Sequence, residues 1–554
     1  MKKGIISKLI SALISAIVIF IAFWFELPPI NLRSPDFWGF LIFCVVATVI
    51  IFCGAALIKK IKNGFSDELH FDVKDPKSAL GILKSKSTVA IGIKAIIITL
   101  ALWLVVNVAA FFTGLPLFNA SAYHGLLKVT DGNFSEDVAE LDMSSIPVVD
   151  RDTASRLGKR KLGEMNDLVS QFEITEDYTQ INYKNSPYRV TTLAYGDLFK
   201  WFNNQEKGIP AYITVDMVTQ ETTLVRLEEG IKYSEGEYFM RNIHRYLRFN
   251  YPTKIFDQLE FEIDENGTPY WIAPCITYRI GIWSGKDIEG AVLVNAITGE
   301  SNYYSLEEIP EWVDQVFISS LVIEQLNYYG LYGNGFFNSI FGQQGVIETT
   351  RGYNYLAIDN DVWLYTGMTS VAGDESNIGF VLVNMRTKET RYYSIPGAEE
   401  YSAMGSAEGQ VQHLKYSSTF PILLNVSDRP TYFVSLKDAA GLVKMYAFVD
   451  VERYQIVGTG ETVEKAKQDY ASKLDGEDIT TPDEQETDIT VSDVKFPVID
   501  GESKAYILDS NGEIWVIPVS LDSRLAFIKS GDVLSVKYTE YSSTKTIISI
   551  TEIK

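Results

Sequence analysis

Three long apolar stretches near the amino terminus constrain this 554-residue chain more than any other feature. They run from Leu9 to Phe25, from Phe37 to Ile58 and from Ala95 to Phe118. About 17 to 25 apolar residues in a helix suffice to cross the hydrocarbon of a bilayer. The pattern therefore predicts three transmembrane helices, with residues 1–118 as the membrane anchor.

Basic residues predict the orientation of these helices. Lysines cluster at the amino terminus and between the second and third stretches, whereas the first connection carries only Arg33. Lysine-rich flanks stay in the cytoplasm, so the amino terminus is predicted to be cytoplasmic and everything after Phe118 to lie outside. The first stretch lacks a small-x-small cleavage site and is predicted to be retained. The lysines are Lys2, Lys3, Lys8, Lys59, Lys60, Lys62, Lys74, Lys77, Lys84 and Lys86.

Charge is divided unevenly between the anchor and the rest of the chain. Residues 1–118 hold twelve Lys/Arg and six Asp/Glu. The whole chain holds 49 Lys/Arg and 71 Asp/Glu, so residues 119–554 hold 37 Lys/Arg and 65 Asp/Glu. The large part therefore has a net charge of −28. Such a surface repels phosphate backbones, so no nucleic-acid partner is predicted.

Cysteine and histidine are too sparse to predict a disulfide or a metal site. Cys44 and Cys53 lie in an apolar stretch, so Cys275 is alone in the large part. The four histidines are scattered and have no cysteine companions. We predict no metal and no cofactor, and a folded core must supply the stability.

A short pattern recurs four times in the large part. An apolar strand ends in Asp or Asn, a Thr-rich polar turn follows, and a second strand returns. This order predicts β-hairpins. The corner residues could be ligands, but their type favours bonding to the turn backbone. They are Asp216, Asn295, Asn384 and Asp450.

Flanking segments extend each hairpin into a larger unit. A further strand precedes the second, third and fourth copies, and helices are predicted from Pro310 to Leu326, Glu399 to Tyr416 and Glu461 to Leu474. The predicted class is α+β, with tandem modules of an antiparallel hairpin plus a helix. A first extracytoplasmic module is assigned to residues 119–257 and the tandem modules to residues 258–474.

The second copy carries the closest likeness to a known family. Val294-Asn295-Ala296-Ile297-Thr298-Gly299-Glu300 resembles the corner of a PepSY module, a small α+β domain of exported bacterial proteins. The resemblance implies a binding or inhibitory role rather than catalysis.

The carboxyl-terminal region follows a break in composition. Residues 475–488 are acidic and contain no base, which predicts a solvated linker. Residues 489–554 hold five short strand patterns and a helical bridge, which predict a small OB-type or SH3-like β-barrel.

The motifs that mark common enzyme classes are missing from the sequence. No nucleotide-binding glycine loop, zinc-protease motif or nucleophile elbow occurs. Ser542-Ser543-Thr544-Lys545 matches S-x-x-K but lies at a predicted hairpin turn. The acids around Asp359 and Asp374 could bind calcium, although turn acids explain them more simply. A carboxylate pair for glycoside hydrolysis cannot be chosen among 65 acids.

One segment is unusual enough to be a candidate binding surface. Residues 327–338 interleave glycines with aromatic residues, which could contact sugar rings, peptides or the membrane interface. The alternative is a loop whose aromatic residues fill the core. The candidate ligand-binding residues are Tyr328, Tyr332, Phe336 and Phe337.

These patterns together predict a non-catalytic scaffold or binding protein of the cell envelope. It would be a multi-pass protein of a bacterial cytoplasmic membrane, with its large domain outside and an envelope protein or cell-wall material as partner. The alternative is an envelope hydrolase with a carboxylate pair in the large domain.

Overall fold

The computed structural model describes most of the chain in two compact units, Met1–Ala466 and Lys467–Lys554. The described residues are 2–62, 88–139, 146–358, 360–371, 376–475, 485–496, 498–499, 502–518, 523–541 and 544–553. Several predicted features lie outside the described residues. They are Asp359, Asp374-Glu375, Ser542 and Ser543, most of the predicted linker, and the segment between the second and third apolar stretches.

Among the described residues, the three apolar stretches form the first three helices, and each is long and apolar enough to cross a membrane. The third helix ends at Gly114 rather than at the predicted Phe118, because Leu115 is extended (φ −58°, ψ 127°) before Pro116. A short fourth helix follows at once. The helices are α1 (Lys2–Glu26), α2 (Pro35–Lys62), α3 (Thr88–Gly114), α4 (Pro116–His124), α5 (Phe134–Asp137), α6 (Arg151–Gly163), α7 (Leu198–Asn204), α8 (Ile243–Asn250), α9 (Ser319–Tyr332), α10 (Glu400–Gln410) and α11 (Val463–Asp475).

We call the part of the first unit after α3, from Pro116 to Ala466, the head. Four antiparallel sheets follow one another along it. Each contains a four-strand meander, and shorter strands pair at its edges. Sheet one contains β2 (Phe172–Ile174), β3 (Thr179–Tyr183), β4 (Ser186–Tyr195), β5 (Ile209–Asp216) and β6 (Thr222–Ile231). Sheet two contains β7 (Ile255–Phe256), β8 (Glu260–Ile263), β9 (Pro269–Ile280), β10 (Ser284–Asn295) and β11 (Ser301–Ser305).

The third and fourth sheets repeat the meander. Sheet three contains β12 (Ile347–Thr349), β13 (Asn354–Ile358), β14 (Asp361–Ser370), β15 (Ser376–Asn384), β16 (Thr390–Tyr393) and β17 (Gly397–Ala398), and β1 (Val129–Asp131) pairs with β16 in parallel. Sheet four contains β18 (Ser417–Ser418), β19 (Ile422–Val426), β20 (Arg429–Lys437), β21 (Val443–Asp450) and β22 (Val457–Gly460).

The four recurring corners are turns between the third and fourth strands of the meanders. Asp216 Oδ1 accepts the backbone N–H groups of Val218 and Thr219, both at 2.8 Å. Asn295 and Asn384 bond their own turns in the same way. These side chains therefore act as backbone acceptors, as the turn interpretation predicts.

A second backbone pattern, which the sequence did not predict, accompanies each corner. The residue after the Asp or Asn is buried, and its carbonyl accepts N–H bonds from the segment that leads into the same sheet. These bonds fasten each connecting segment across the sheet that follows it. The pairs are Val148 and Val149 to Met217, Lys232 and Tyr233 to Ala296, Val316 and Phe317 to Met385, and Ala398 to Val451.

The same bonds explain why α9 begins at Ser319 and not at the predicted Pro310. Val316 and Phe317 are buried and held against Met385 in an extended segment, so that the helix can begin only after them. The α9 helix then packs between sheets two and three, in a core that includes Leu326, Leu293 and Val383.

The second unit contains one six-stranded sheet. Its strands are β23 (Gln485–Lys495), β24 (Val498–Ile499), β25 (Glu502–Asp509), β26 (Ile514–Pro518), β27 (Val533–Tyr541) and β28 (Thr544–Ile553). Strand β23 pairs with both β27 and β25, and β26 pairs with β28 in parallel. Trp515, Leu534 and Val536 lie in its core.

Candidate functional site

The four predicted aromatic site residues fall into two pairs with different surroundings. Tyr328 and Tyr332 lie on α9 and pack against Tyr123 of α4, with ring centroids 4.6 and 5.9 Å apart. Their role in the structure is to fix the end of α9 to α4, the helix that follows α3.

Phe336 and Phe337 continue from α9 into an exposed turn. Phe337 is 65% exposed and stacks on Phe341, which is 80% exposed, at 6.5 Å between ring centroids. A π-helical turn over Asn338–Gly342 carries Ile340 and Phe341. We call Phe336, Phe337, Ile340 and Phe341 the aromatic turn.

The head is fastened to the outer ends of α1 and α2 by hydrogen bonds. The backbone N–H of Ile30 donates to the Pro252 carbonyl at 2.7 Å, and Asn31 Nδ2 donates to the Thr253 carbonyl at 2.8 Å. Arg248 Nε donates to the Leu27 carbonyl at 2.8 Å. These contacts join the connection between the first two helices to the head.

Arg248 occupies the centre of this contact and is buried. Its Nη1 also donates to the carbonyls of Lys254 at 2.6 Å and Pro252 at 3.3 Å. Burial lowers the pKa of Arg248 to about 10, so it stays charged at neutral pH. A cavity of about 850 Å³ opens beside it, and its walls combine apolar residues such as Phe25 and Phe40 with the acids Glu26 and Asp36.

A cluster of buried carboxylates joins sheets one and two inside the head. Glu262 is fully buried, and its two oxygens accept the backbone N–H groups of Asp314 and Gln315, each at 2.9 Å. Asp314, 2% exposed, accepts the backbone N–H of Asn182 of β3 at 2.7 Å. The two acids therefore clamp the segment that leads from sheet two to α9.

Polar residues of sheet one surround this cluster. Gln315 Nε2 donates to the Gln180 carbonyl at 2.7 Å, and Arg189 Nη2 donates to Gln180 Oε1 at 3.3 Å. Burial lowers the pKa of Arg189 to about 10. Burial also raises the pKa values of both Glu262 and Asp314, and the Glu262 carboxylate raises that of Asp314 further, while Glu260 raises that of Glu262.

Glu260 is two residues before Glu262 on β8 and adds a titratable group to the cluster. Its oxygens accept bonds from the Thr179 hydroxyl at 2.9 Å and from Gln258 Nε2 at 2.7 Å. Burial of the carboxylate raises its pKa to about 7. The sequence did not reveal this cluster, because Glu260-Phe261-Glu262 has the alternation of an ordinary strand with an exposed acidic face.

The free energy of unfolding is expected to fall as the pH rises from the unfolded-state pKa of Glu260 to its folded-state pKa. Its pKa in the unfolded chain is about 4.3, so between pH 4.3 and 7 the folded state holds a proton that the unfolded state has lost. We expect the full-length wild type in detergent micelles to lose about 2 kcal/mol relative to Glu260→Gln from pH 5 to pH 8. Denaturant titrations at each pH measure this. A constant difference between the two proteins over that range would contradict the prediction.

Two further buried glutamates lie apart from this cluster. Glu237 accepts the Tyr195 hydroxyl at 3.0 Å and Trp201 Nε1 at 2.6 Å. Glu400 accepts the Tyr365 hydroxyl at 3.4 Å, and burial raises its pKa. Both anchor polar aromatic side chains within the head.

The acids considered for calcium have other partners where the structure describes them. Asp361 accepts bonds from Arg386 Nε at 2.8 Å and Nη2 at 2.9 Å, and from Asn384 Nδ2 at 2.8 Å. Within the described ranges, no group of three or more His, Cys, Asp or Glu side chains is placed to hold a metal ion.

Comparisons with known proteins identify no family for this chain. No family model matches it, and no curated protein matches its sequence. A crystal structure of a mutant levansucrase from B. megaterium aligns over 78% of this chain and 97% of its own, with 9% identity and a TM-score of 0.18. A chimeric ACO/RPE65 protein aligns over 68% and 64%, with 10% identity and a TM-score of 0.13. At such scores neither likeness supports an argument about fold or function, and the PepSY resemblance stays a prediction.

Proposed function

We propose that this chain is a membrane-anchored scaffold or binding protein of the bacterial cell envelope. Its head and second unit lie outside the cytoplasmic membrane and contact another envelope protein or cell-wall material without catalysing a reaction. The orientation comes from the lysine-rich cytoplasmic flanks, and the three apolar helices supply the anchor.

The attachment of the head to the helices supports a scaffold. Three hydrogen bonds hold the head to the outer connection of α1 and α2, from Ile30 to Pro252, from Asn31 to Thr253 and from Arg248 to Leu27. A head fixed in this way keeps its orientation to the bilayer. The same contacts support a topology in which the first connection and the head share one side of the membrane.

The observation that carries the binding proposal is an exposed apolar pair on the second unit. Leu508 and Ile514 face each other across β25 and β26 and are 38% and 58% exposed. Successive strand pairs run from β23 to β27, β28, β26 and β25, and β25 also pairs with β23. This order of pairing supports the predicted OB-type barrel. Adjacent exposed apolar residues on such a unit suit contact with a protein.

Substitution of this pair is expected to release the partner. Leu508→Ser with Ile514→Ser should lower the amount of partner recovered with the full-length protein from cross-linked native membranes several-fold, because the apolar contact is lost. Quantitative mass spectrometry of the recovered proteins and wall fragments measures this. The matched control is Asn511→Ser with Lys529→Ser, which changes exposed polar residues of the same unit. Equal recovery with both double variants would refute this surface as the contact.

The alternative function, an envelope hydrolase, has the carboxylate cluster in its favour. Glu262 and Asp314 form a buried acid pair with raised pKa values, a state that hydrolases use for a general acid. Both acids, however, accept backbone N–H bonds that hold the fold together. Release of soluble fragments from purified cell wall by the wild type, but not by Asp314→Asn of equal stability, would favour the hydrolase.

A further inference from the structure

Two exposed aromatic surfaces of the head lie next to the ends of membrane helices. One is the aromatic turn. The other, which we call the phenylalanine patch, consists of Phe199, Phe202, Phe239 and Met240, with exposed fractions from 44% to 78%. Exposed apolar clusters of this kind mark contact sites on soluble surfaces.

The aromatic turn is joined to the third membrane helix. Tyr328 and Tyr332 pack against Tyr123 of α4, and α4 begins two residues after α3 ends at Gly114. Phe118 of α4 is itself 72% exposed. The aromatic turn therefore continues from a contact with α4, the helix that directly follows α3.

The phenylalanine patch is joined to the first membrane helix by Arg245. Its Nη1 donates to the Phe239 carbonyl at 2.7 Å, and its Nε donates to the Trp24 carbonyl at 3.3 Å. The guanidinium also lies over the Trp24 ring at 4.4 Å from the centroid. Trp24 is within three residues of the end of α1, so one side chain separates the patch from the membrane boundary.

The sequence around the aromatic turn has no charge. Residues 325–347 contain no Asp, Glu, Lys, Arg or His in 23 positions, although 22% of the whole chain is charged and the large part has a net charge of −28. Amide and hydroxyl side chains, such as Asn334 and Ser339, accompany the phenylalanines. Aromatic residues with an uncharged polar rim suit the boundary between lipid headgroups and acyl chains.

We propose that the aromatic turn and the phenylalanine patch insert into the outer leaflet of the membrane that the three helices cross. The occupant of both surfaces is the lipid interface. The head then rests on the bilayer at two points, one beside α1 and one beside α3. This inference rests on the orientation proposed above, with the head outside the membrane that the helices cross, and it is independent of the partner proposed for the second unit.

Photo-cross-linking tests the proposal in the full-length protein. Benzoylphenylalanine replaces Phe341 or Phe239, and Tyr454 serves as the control, because it is a 41% exposed aromatic residue in the turn between β21 and β22. The protein is irradiated in the membranes of the expressing cells and in nanodiscs made only of purified phospholipid. Phe337 and Phe199 provide a second position in each surface, should the first variant melt earlier than the wild type.

We expect phospholipid adducts at both test positions, identified by mass spectrometry, in several-fold excess over the control position and in both membranes. Adduct yields equal to those at Tyr454 would overturn the proposal. A protein adduct in cells without a lipid adduct in nanodiscs would also overturn it, since it would assign the surface to a partner. Loss of partner binding by the Leu508 and Ile514 variant would leave these yields unchanged.

Discussion

Replacing Glu262 with Ala is expected to lower the free energy of unfolding of the head by about 4 kcal/mol. The substitution removes the acceptor of two buried backbone N–H groups, those of Asp314 and Gln315. Each unsatisfied buried donor costs about 1–3 kcal/mol, and a small cavity adds to the loss. Denaturant titration of the full-length protein in micelles, followed by tryptophan fluorescence, measures the change.

The matched control for this prediction is Glu176→Ala. Glu176 forms an exposed ion pair with Lys159 at 3.4 Å, and its side chain is 84% exposed. Exposed pairs of this kind contribute about 0–1 kcal/mol. If Glu262→Ala cost no more than the control, Glu262 would not be the clamp that joins sheets one and two.

Arg248→Ala is expected to loosen the head from the membrane helices at a cost of about 3 kcal/mol. The guanidinium is buried and donates to the carbonyls of Leu27, Pro252 and Lys254, all of which would lose a charged donor. We expect faster amide hydrogen exchange around residues 27–33 and 250–256 in the variant than in the wild type. Hydrogen exchange in nanodiscs, with mass spectrometry, measures this.

Arg226→Ala controls for the loss of a positive charge. Arg226 lies on the surface of sheet one and pairs with Asp167 at 2.8 Å, with half of its side chain exposed. Its removal is expected to leave exchange at the helix connection unchanged. Unchanged exchange there in Arg248→Ala as well would show that the remaining contacts hold the head without this arginine.

The sequence determined the features that depend on neighbouring residues. The three helices able to cross a membrane follow from runs of apolar residues, because a single apolar segment can satisfy its own backbone in hydrocarbon only as a helix. The corners at Asp216, Asn295 and Asn384 follow from side chains that bond their own turns within three residues. The strands that follow these corners were predictable because a tight turn leads the chain directly back along the preceding strand.

Long-range contacts were decided by the tertiary structure alone. Glu262 and Asp314 are 52 residues apart in the chain, and the four-residue strand β8 gives no signal that Glu262 is buried. The start of α9 depends on the carbonyl of Met385, far along the chain from Val316. The same aromatic segment holds Tyr328 and Tyr332 against Tyr123 and leaves Phe337 65% exposed, a difference that residue type cannot encode. Burial and exposure depend on what the rest of the chain brings alongside, and a local pattern contains no record of those neighbours.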